Sequence, residues 1–312
     1  MNYRSLLIVC LATLGLAVAG RGQADGKIAF ISHHGGYDDV WIMNADGNDP
    51  VNLTQGRYCA SPVWSPDGTK IAYIDVDDDE TWPYGGEIWL MDVDGSNPQQ
   101  VTDDSVEKLR LWWSEDGRSL YYTAVMTAQI RDEGWEGPDT FVMALDGSGS
   151  SPVDWREVYR RFRPGVSPDG TKQAGIMLRE KGEEENIARL YIRDVGEDES
   201  SFIHGASFFR VIPLPGLPNP DRPFWRSDSS VMVPYEDFTW APNSTRVAFT
   251  SFTTNDGFRE IWAVDIDGSR LVNLTNGLGG HSPAWQPVLS AATSVEAQSW
   301  GRIKSLLSTG IR

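Results

Sequence analysis

EIWAVDIDGSRLVNLT, residues 260–275, is one of three near copies of a single phrase; the others are DVWIMNADGNDPVNLT at 39–54 and EIWLMDVDGSNPQQVT at 87–102. Weaker copies at 140–153 and 189–203 keep the apolar run and lose parts of the turn behind it. A second phrase accompanies the first, reading PVWSPDGTKIAY at 62–73, LWWSEDGRSLYY at 111–122, PGVSPDGTKQAG at 164–175 and FTWAPNSTRVAF at 238–249. Anchored on Trp41, Trp89, Phe141, Tyr191 and Trp262, the steps are 48, 52, 50 and 71 residues. A unit that recurs at such a period buries its faces against its own copies, so repetition decides the architecture before any single residue does.

Each unit is long enough for four short strands. The runs IAF, IAY, LYY and VAF are aliphatic, aromatic and β-branched, as buried strands require, and turn clusters bound them on both sides. SPDG and ADG or VDG are hairpin signals: the Asp side chain caps its own turn and Gly supplies a positive φ. Long helical periodicity is absent from the body of the chain. The pattern predicts an all-β fold, a β-propeller of four-stranded blades. GKIAFIS at 26–32 reads as a second strand without its first, and SPAWQP at 282–287 as a first strand without its second. The two ends are therefore expected to pair and complete one blade, closing the ring and removing exposed sheet edges. Five blades are counted. Six is the alternative, because residues 204–236, rich in Pro and carrying the faint echo PFWRSDSSVMV at 223–233, read as an insertion or a degraded blade.

Composition narrows the function. The 312 residues bury a core without staples, and the formal net charge of −17 disfavours nucleic acid and anionic lipid as partners. The 13 Trp fall mostly at repeat positions, so Trp41, Trp64, Trp89, Trp113, Trp240, Trp262 and Trp285 are assigned to blade cores. Residues 1–24 have the order of a secretory signal peptide: Arg4, an apolar run from Leu6 to Ala19 too short to span a bilayer, and the small residues Ala17, Val18 and Ala19. Cys10 lies in that run, leaving Cys59 alone and no internal disulfide. The propeller is placed at 25–288 and a short basic tail, helical or disordered, at 289–312. Asn52-Leu53-Thr54 and Asn273-Leu274-Thr275 match a glycosylation acceptor, but their shared repeat position assigns them to strand chemistry.

The two phrases together, an IWxM-type strand, the ADG or VDG turn, the LT after it and PxWSPDGxKIAF, resemble the TolB-type, WD-repeat-like β-propeller family from residue 26 to residue 287. The match is strong in units one, two and five and weak in three and four. The resemblance implies fold more than function, because turn and core residues carry it. Relatives of this type include a periplasmic propeller with an α/β domain ahead of it, propellers preceding serine peptidases, and oligogalacturonate lyases with a His-rich metal cluster. This sequence is expected to be the propeller alone: only residues 20–25 separate the leader from the first strand, and GVSPD at 165–169 is the repeat's own turn, not a nucleophile elbow. Only four His occur: His33, His34, His204 and His281.

Tight SPDG and VDG turns mark one propeller face, and variable loops such as 32–39, 75–86 and 126–137 mark the other, where recognition is expected. His33 and His34 come from the first blade and His281 from the strand expected to pair with it. Residues at the channel mouth are Ala60, Leu109, Phe162, Glu236 and His281, with Arg57, Tyr58, Arg110 and Arg163 beside them. The predicted ligand-binding residues are His33, His34, Tyr58, Arg110, Glu236 and His281; no catalytic residue, metal or cofactor is assigned. The acidic run 75–80 reads as solvated charge. The expected protein is an exported, periplasmic or secreted, monomeric scaffold. It binds a protein or peptide, makes no stable membrane insertion and binds no nucleic acid. The alternative is a carbohydrate-active propeller, lyase or hydrolase-like, with a metal on His33, His34 and His281.

Overall fold

Ser-Pro-Asp-Gly closes the first hairpin of a unit through one set of short bonds. In the computed structural model, Ser65 Oγ donates to Asp67 Oδ1 at 2.6 Å and accepts from the Lys70 amide at 2.9 Å, and Asp67 Oδ1 also accepts from Thr69 N at 3.1 Å. Ser114 with Asp116 and Ser167 with Asp169 repeat this, and Asn243 takes the Asp role toward Thr245. The Ser hydroxyl first, then backbone amides, hold the carboxyls of Asp67, Asp116 and Asp169 below their ordinary range. These aspartates are turn formers, as the sequence predicts. The structure describes residues 26–76, 86–104, 106–125, 139–146, 149–154, 156–158, 165–178, 188–195, 210–213, 238–252 and 259–287.

The hairpins assemble into antiparallel sheets. The first holds β1 (Lys27–Ser32), β2 (Asp39–Asn44) and β3 (Val51–Asn52); the second, β4 (Tyr58–Trp64), β5 (Lys70–Val76), β6 (Glu87–Asp92) and β7 (Gln99–Gln100). The third holds β8 (Glu107–Trp113), β9 (Ser119–Val125), β10 (Asp139–Ala144) and β11 (Gly149–Val153). The fourth has β12 (Lys172–Leu178), β13 (Ala188–Asp194) and β14 (Arg210–Pro213), with an isolated bridge from Val166 to Gln173 beside β12 among the described residues. The fifth holds β15 (Phe238–Trp240), β16 (Arg246–Phe252), β17 (Arg259–Asp265) and β18 (Val272–Asn273). The last strand, β19 (His281–Trp285), returns to the first sheet in the order β19-β1-β2-β3, with Ile28 opposite Trp285 and Ala29 opposite Ala284. The pairing expected of the two ends of the repeat array is present.

Apolar layers between sheets form the core. Ile28, Phe30 and Met43 of the first sheet pack on Ala248, Ile261 and Ala263 of the fifth. Ile31 and Val40 meet Ile71, Tyr73 and Met91 of the second, and Ala174 and Leu190 of the fourth meet Phe238 and Phe249 of the fifth. Indole N–H groups tie neighbouring first strands: Trp64 Nε1 donates to Ala284 O at 2.9 Å, Trp113 Nε1 to Val63 O at 3.3 Å and Trp240 Nε1 to Gly165 O at 2.7 Å. In each case the acceptor directly precedes the equivalent position of the preceding unit. The fourth sheet carries Val166 there and has no donor to offer. Trp64, Trp113, Trp240 and Trp285 are buried core residues, as read from the sequence, whereas Trp41, Trp89 and Trp262 are partly exposed.

Glycine in the ADG turn has two reasons to be there. Gly47 has φ 87°, and a Cβ on it would lie 2.5 Å from the Leu274 carbonyl oxygen in the neighbouring sheet. Leu274 of one NLT phrase thus fills the gap under the next unit's turn, and Leu53 does the same under Gly95.

Candidate functional site

Asp39, Glu87, Asp139 and Glu260 stand at the start of the strand that follows the loop-face crossing in four of the units, and in three of them the acid is clasped by the end of its own phrase. Asp39, only 2% exposed, accepts from Thr54 Oγ1 at 2.7 Å, Asn52 Nδ2 at 2.8 Å, Gly56 N at 2.8 Å and Arg57 N at 3.0 Å. Gln55 and Gly56 both have positive φ, 54° and 97°, which turns consecutive amides toward the carboxylate as an anion-holding nest. Glu260 likewise accepts from Thr275 Oγ1 and from Gly277 N at 2.8 Å. Glu87 accepts from Thr102 Oγ1 and from Asp104 N at 3.1 Å. The same hydroxyls accept the next amide: Val40 N to Thr54, Ile88 N to Thr102 and Ile261 N to Thr275, at 3.0, 2.9 and 3.0 Å. Asn52 and Asn273 cap the turn by accepting from the amides of Thr54 and Thr275. Their place in NLT is therefore strand-end chemistry, as expected.

This clasp fixes the crossing from an outer strand to the next inner one, on the side where the variable loops gather. Ser32 Oγ donates to Leu278 O at 2.9 Å and Cys59 N to Asp38 O at 2.7 Å, so loops 32–38, 53–57 and 275–280 share one face. Gln286 Nε2, which donates to Gly68 O at 2.7 Å, belongs to the opposite, hairpin side.

His33 and His281 do approach. His281 sits opposite Ile31 on the β19–β1 pair, and the charges of Arg259 and His33 reach it. Their bonds, however, go elsewhere. His33 Nδ1 lies 3.1 Å from Asp38 Oδ1 and His281 Nδ1 lies 3.0 Å from Ser282 Oγ, while the His34 ring meets Trp41 edge-on at 5.8 Å. Burial, then Arg259, then His33 push the His281 imidazole down to about 3. The ring is therefore neutral at physiological pH. Among the described residues no three His, Cys, Asp or Glu side chains are grouped to hold a metal ion.

Tyr58 is half-buried; its ring lies 5.3 Å from that of Tyr37, which is 43% exposed. Arg57 lays its guanidinium 5.1 Å from the Trp89 ring centre and pairs through Nη1 with Asp75, a residue only 4% exposed. Asp75 is thus not part of a solvated acidic run: it is a buried strand residue paired opposite Cys59, and its charge is held by Arg57. Burial, and then the Asp75 carboxylate, drive the thiol of the free, buried Cys59 upward, away from the reactive thiolate. Arg110 lies on β8 opposite Thr123, partly buried. Glu236, Phe162, Arg163 and loop 126–137 lie outside the described residues, as do 1–25 and 288–312.

Sequence reasoning missed two features here. The first is the clasp itself, although the D/E at its start and the T at its end were both repeat positions. The second is a bulge in the inner strands, where Ser61 and Ser282, each before a Pro, take φ 50° and 52° and shift the register of β4 and β19. Such bulges re-aim side chains at the rim of a scaffold. Ser61 Oγ crosses to Leu109 O at 3.0 Å and joins two inner strands there.

Strands in antiparallel four-stranded sheets, with inner strands meeting one another and loops collected on one face, define a β-propeller. Comparison with known proteins gives that propeller a type. A Tol-Pal system protein TolB from Methylobacillus flagellatus is 41% identical over 49 residues, 15% of this chain and 11% of that protein, and the one from Bordetella avium is 38% identical over 55 residues, 17% and 12%. The sequence matches thus span about a tenth of those relatives. The crystal structure of TolB from Acinetobacter baumannii aligns with 84% of this chain and 67% of its own at 18% identity, with a TM-score of 0.53, a likeness of fold. No protein-family model matches. The chain therefore has the repeat and the fold of TolB-type propellers.

Proposed function

We propose that this protein is an exported, non-enzymatic scaffold whose variable-loop face binds a protein or peptide in the cell envelope. Its five sheets close into a ring through β1 and β19. The observation that carries the reading is the carboxylate clasp: Asp39, Glu87 and Glu260 each fix a crossing loop on that face, so recognition groups stand on a rigid frame. Rigid presentation lowers the ordering cost of binding, which favours a docking surface. Similarity to proteins named as members of the Tol-Pal system supports an envelope setting and a life among protein partners. The signal-peptide pattern of residues 1–24 supports export, and no helix among the described residues is long and apolar enough to cross a membrane.

Site-specific photo-crosslinking in the native envelope tests this. A photoreactive residue at position 37 or 33 is expected to give discrete protein adducts, and one at position 94 or 118, on the hairpin side, to give none. Adducts only from the hairpin side, or from neither, would overturn the reading. Mass measurement of the exported protein tests cleavage near residue 24.

A further inference from the structure

We propose that Asn276-Gly277 is a latent deamidation site, kept shut by the Glu260 clasp, and that its reaction is a one-way release of the fifth sheet's crossing loop. The pair is the only Asn-Gly in the sequence. Both residues are exposed and have positive φ, 44° and 95°, and nothing lies within 4 Å of where a Cβ on Gly277 would be. A glycine carries no side chain to shield its amide nitrogen. The chemistry needs only water. The Gly277 nitrogen bonds to Asn276 Cγ, the Cγ–Nδ2 bond breaks, and Nδ2 leaves as ammonia with the proton that the attacking nitrogen gives up. Water then opens the cyclic imide. Cleavage of the Cγ–N bond leaves an aspartate; cleavage at the main-chain carbonyl leaves an isoaspartate, with an extra methylene in the main chain and a free α-carboxylate beside it. The reaction does not depend on what the loop face binds.

The repeat supplies its own comparison. Gln55-Gly56 has the same place in the first clasp, with φ 54° and 97°, and its glycine amide meets Asp39 at 2.8 Å as the Gly277 amide meets Glu260 at 2.8 Å. A glutamine there closes a larger ring and reacts far more slowly. In the second clasp Asp103-Asp104 stands at these positions, with Asp104 N donating to Glu87. Of the three clasps, only that of the fifth sheet contains the reactive pair. Glu260 is 4% exposed, and an amide nitrogen that lost its proton beside it would stand as an anion against a carboxylate. Asn276 N to Asn273 Oδ1 at 2.9 Å and Leu278 N to Thr275 O at 3.0 Å hold the turn on either side, so the nitrogen cannot swing toward Cγ while these bonds stand. Reaction therefore waits for local opening. Afterwards a new carboxylate stands beside the amide that Glu260 held, the like charges repel, and the clasp does not re-form.

Peptide mapping by mass spectrometry, on the full chain aged in warm, mildly alkaline buffer, provides the test. Native wild type is expected to convert Asn276 about tenfold more slowly, or slower still, than the same chain in denaturant. E260A, checked as folded by cooperative melting, is expected to recover most of that gap. Q55N puts a second Asn-Gly pair under Asp39 at an exposed position, and in the native state it is expected to be as protected as position 276. Wild type aged until position 276 has converted should show isoaspartate, fast amide exchange at position 277 and a lower melting temperature; N276Q aged in the same way should show none of these. Native conversion as fast as in denaturant, no acceleration in folded E260A, fast conversion in native Q55N, or an aged protein with its position-277 amide still protected would each overturn the proposal. A slower E260A would overturn it too, by making Glu260 the base that draws off the proton. Should E260A not fold, the comparison with denatured wild type and the Q55N rate decide.

Discussion

Asp39 and Thr54 are joined at 2.7 Å across the full length of a repeat phrase, the carboxylate at its first residue accepting from the hydroxyl at its last. Glu87 with Thr102 and Glu260 with Thr275 make the same closure. Asp39→Ala removes an acceptor shared by Thr54, Asn52, Gly56 and Arg57, so buried donors are orphaned and a loss of about 3 kcal/mol or more is expected. Thr54→Val orphans only the Val40 amide among backbone donors and should cost about 1–2 kcal/mol. Chemical denaturation measures both, and amide exchange at Gly56 and Arg57 should speed in each. Equal stability of Asp39→Ala and wild type would refute the clasp.

Trp64→Phe separates the indole hydrogen bond from the bulk of the ring. Losing the contact to Ala284 O should cost about 1 kcal/mol, while Trp64→Ala, which also opens a cavity between the first and second sheets, should cost about 3–5 kcal/mol. The difference between the two, read from urea unfolding, reports packing; the smaller figure reports the tie between units. A Phe variant as unstable as the Ala variant would contradict this division.

Two glycines with positive φ should respond differently to Ala. At Gly47 the added carbon meets Leu274 O at 2.5 Å, whereas at Gly35, φ 101°, nothing lies within 4 Å. Gly35→Ala pays only the backbone term, about 1–2 kcal/mol. Gly47→Ala adds an inter-sheet clash and should lower the melting temperature further. The reverse order would show that the fifth and first sheets are not apposed as described.

Acid should weaken the fold through His281. Its folded imidazole is pushed below the ordinary 6.5, down to about 3, so between those values the unfolded chain binds the extra proton. The contribution is fully present above about pH 6.5 and is lost as pH falls toward the folded value. His281→Gln should therefore flatten the decline in stability between pH 6.5 and pH 4 relative to wild type. Asp67, Asp116 and Asp169, held low by their turns, act at lower pH: their support is present above the ordinary carboxylate range and fades beneath it. An unchanged pH profile for His281→Gln would remove His281 from this account.

Repetition made the sheets legible, because turn and core residues recur at fixed offsets whatever the function. The pairing of 26–32 with 282–287 followed from counting missing strands, and with it the approach of His33 to His281. Burial of charge was not legible. Asp75 belongs by composition to an acidic run, and only its register opposite Cys59 and the reach of Arg57 make it an interior group. The clasp escaped for a related reason: Asp39 and Thr54 are far apart in sequence, and hydrogen bonding between fixed positions leaves no periodic trace. In the fourth unit, Val166 in place of Trp removes both the motif's signal and the bond it stands for, and among the described residues Val166 makes an isolated bridge to Gln173.

Whether the two ends of the repeat array complete one sheet is best measured by dipolar spectroscopy on spin labels at positions 27 and 286, in a Cys59→Ser background. Gln286 N donates to Lys27 O at 2.8 Å, so the labelled backbones should sit on neighbouring strands, about 5 Å apart between Cα atoms. The expected result is a single short distance set by the label tethers, abolished by denaturant. A long, broad distribution in the native protein would contradict the closed propeller and the loop face built on it.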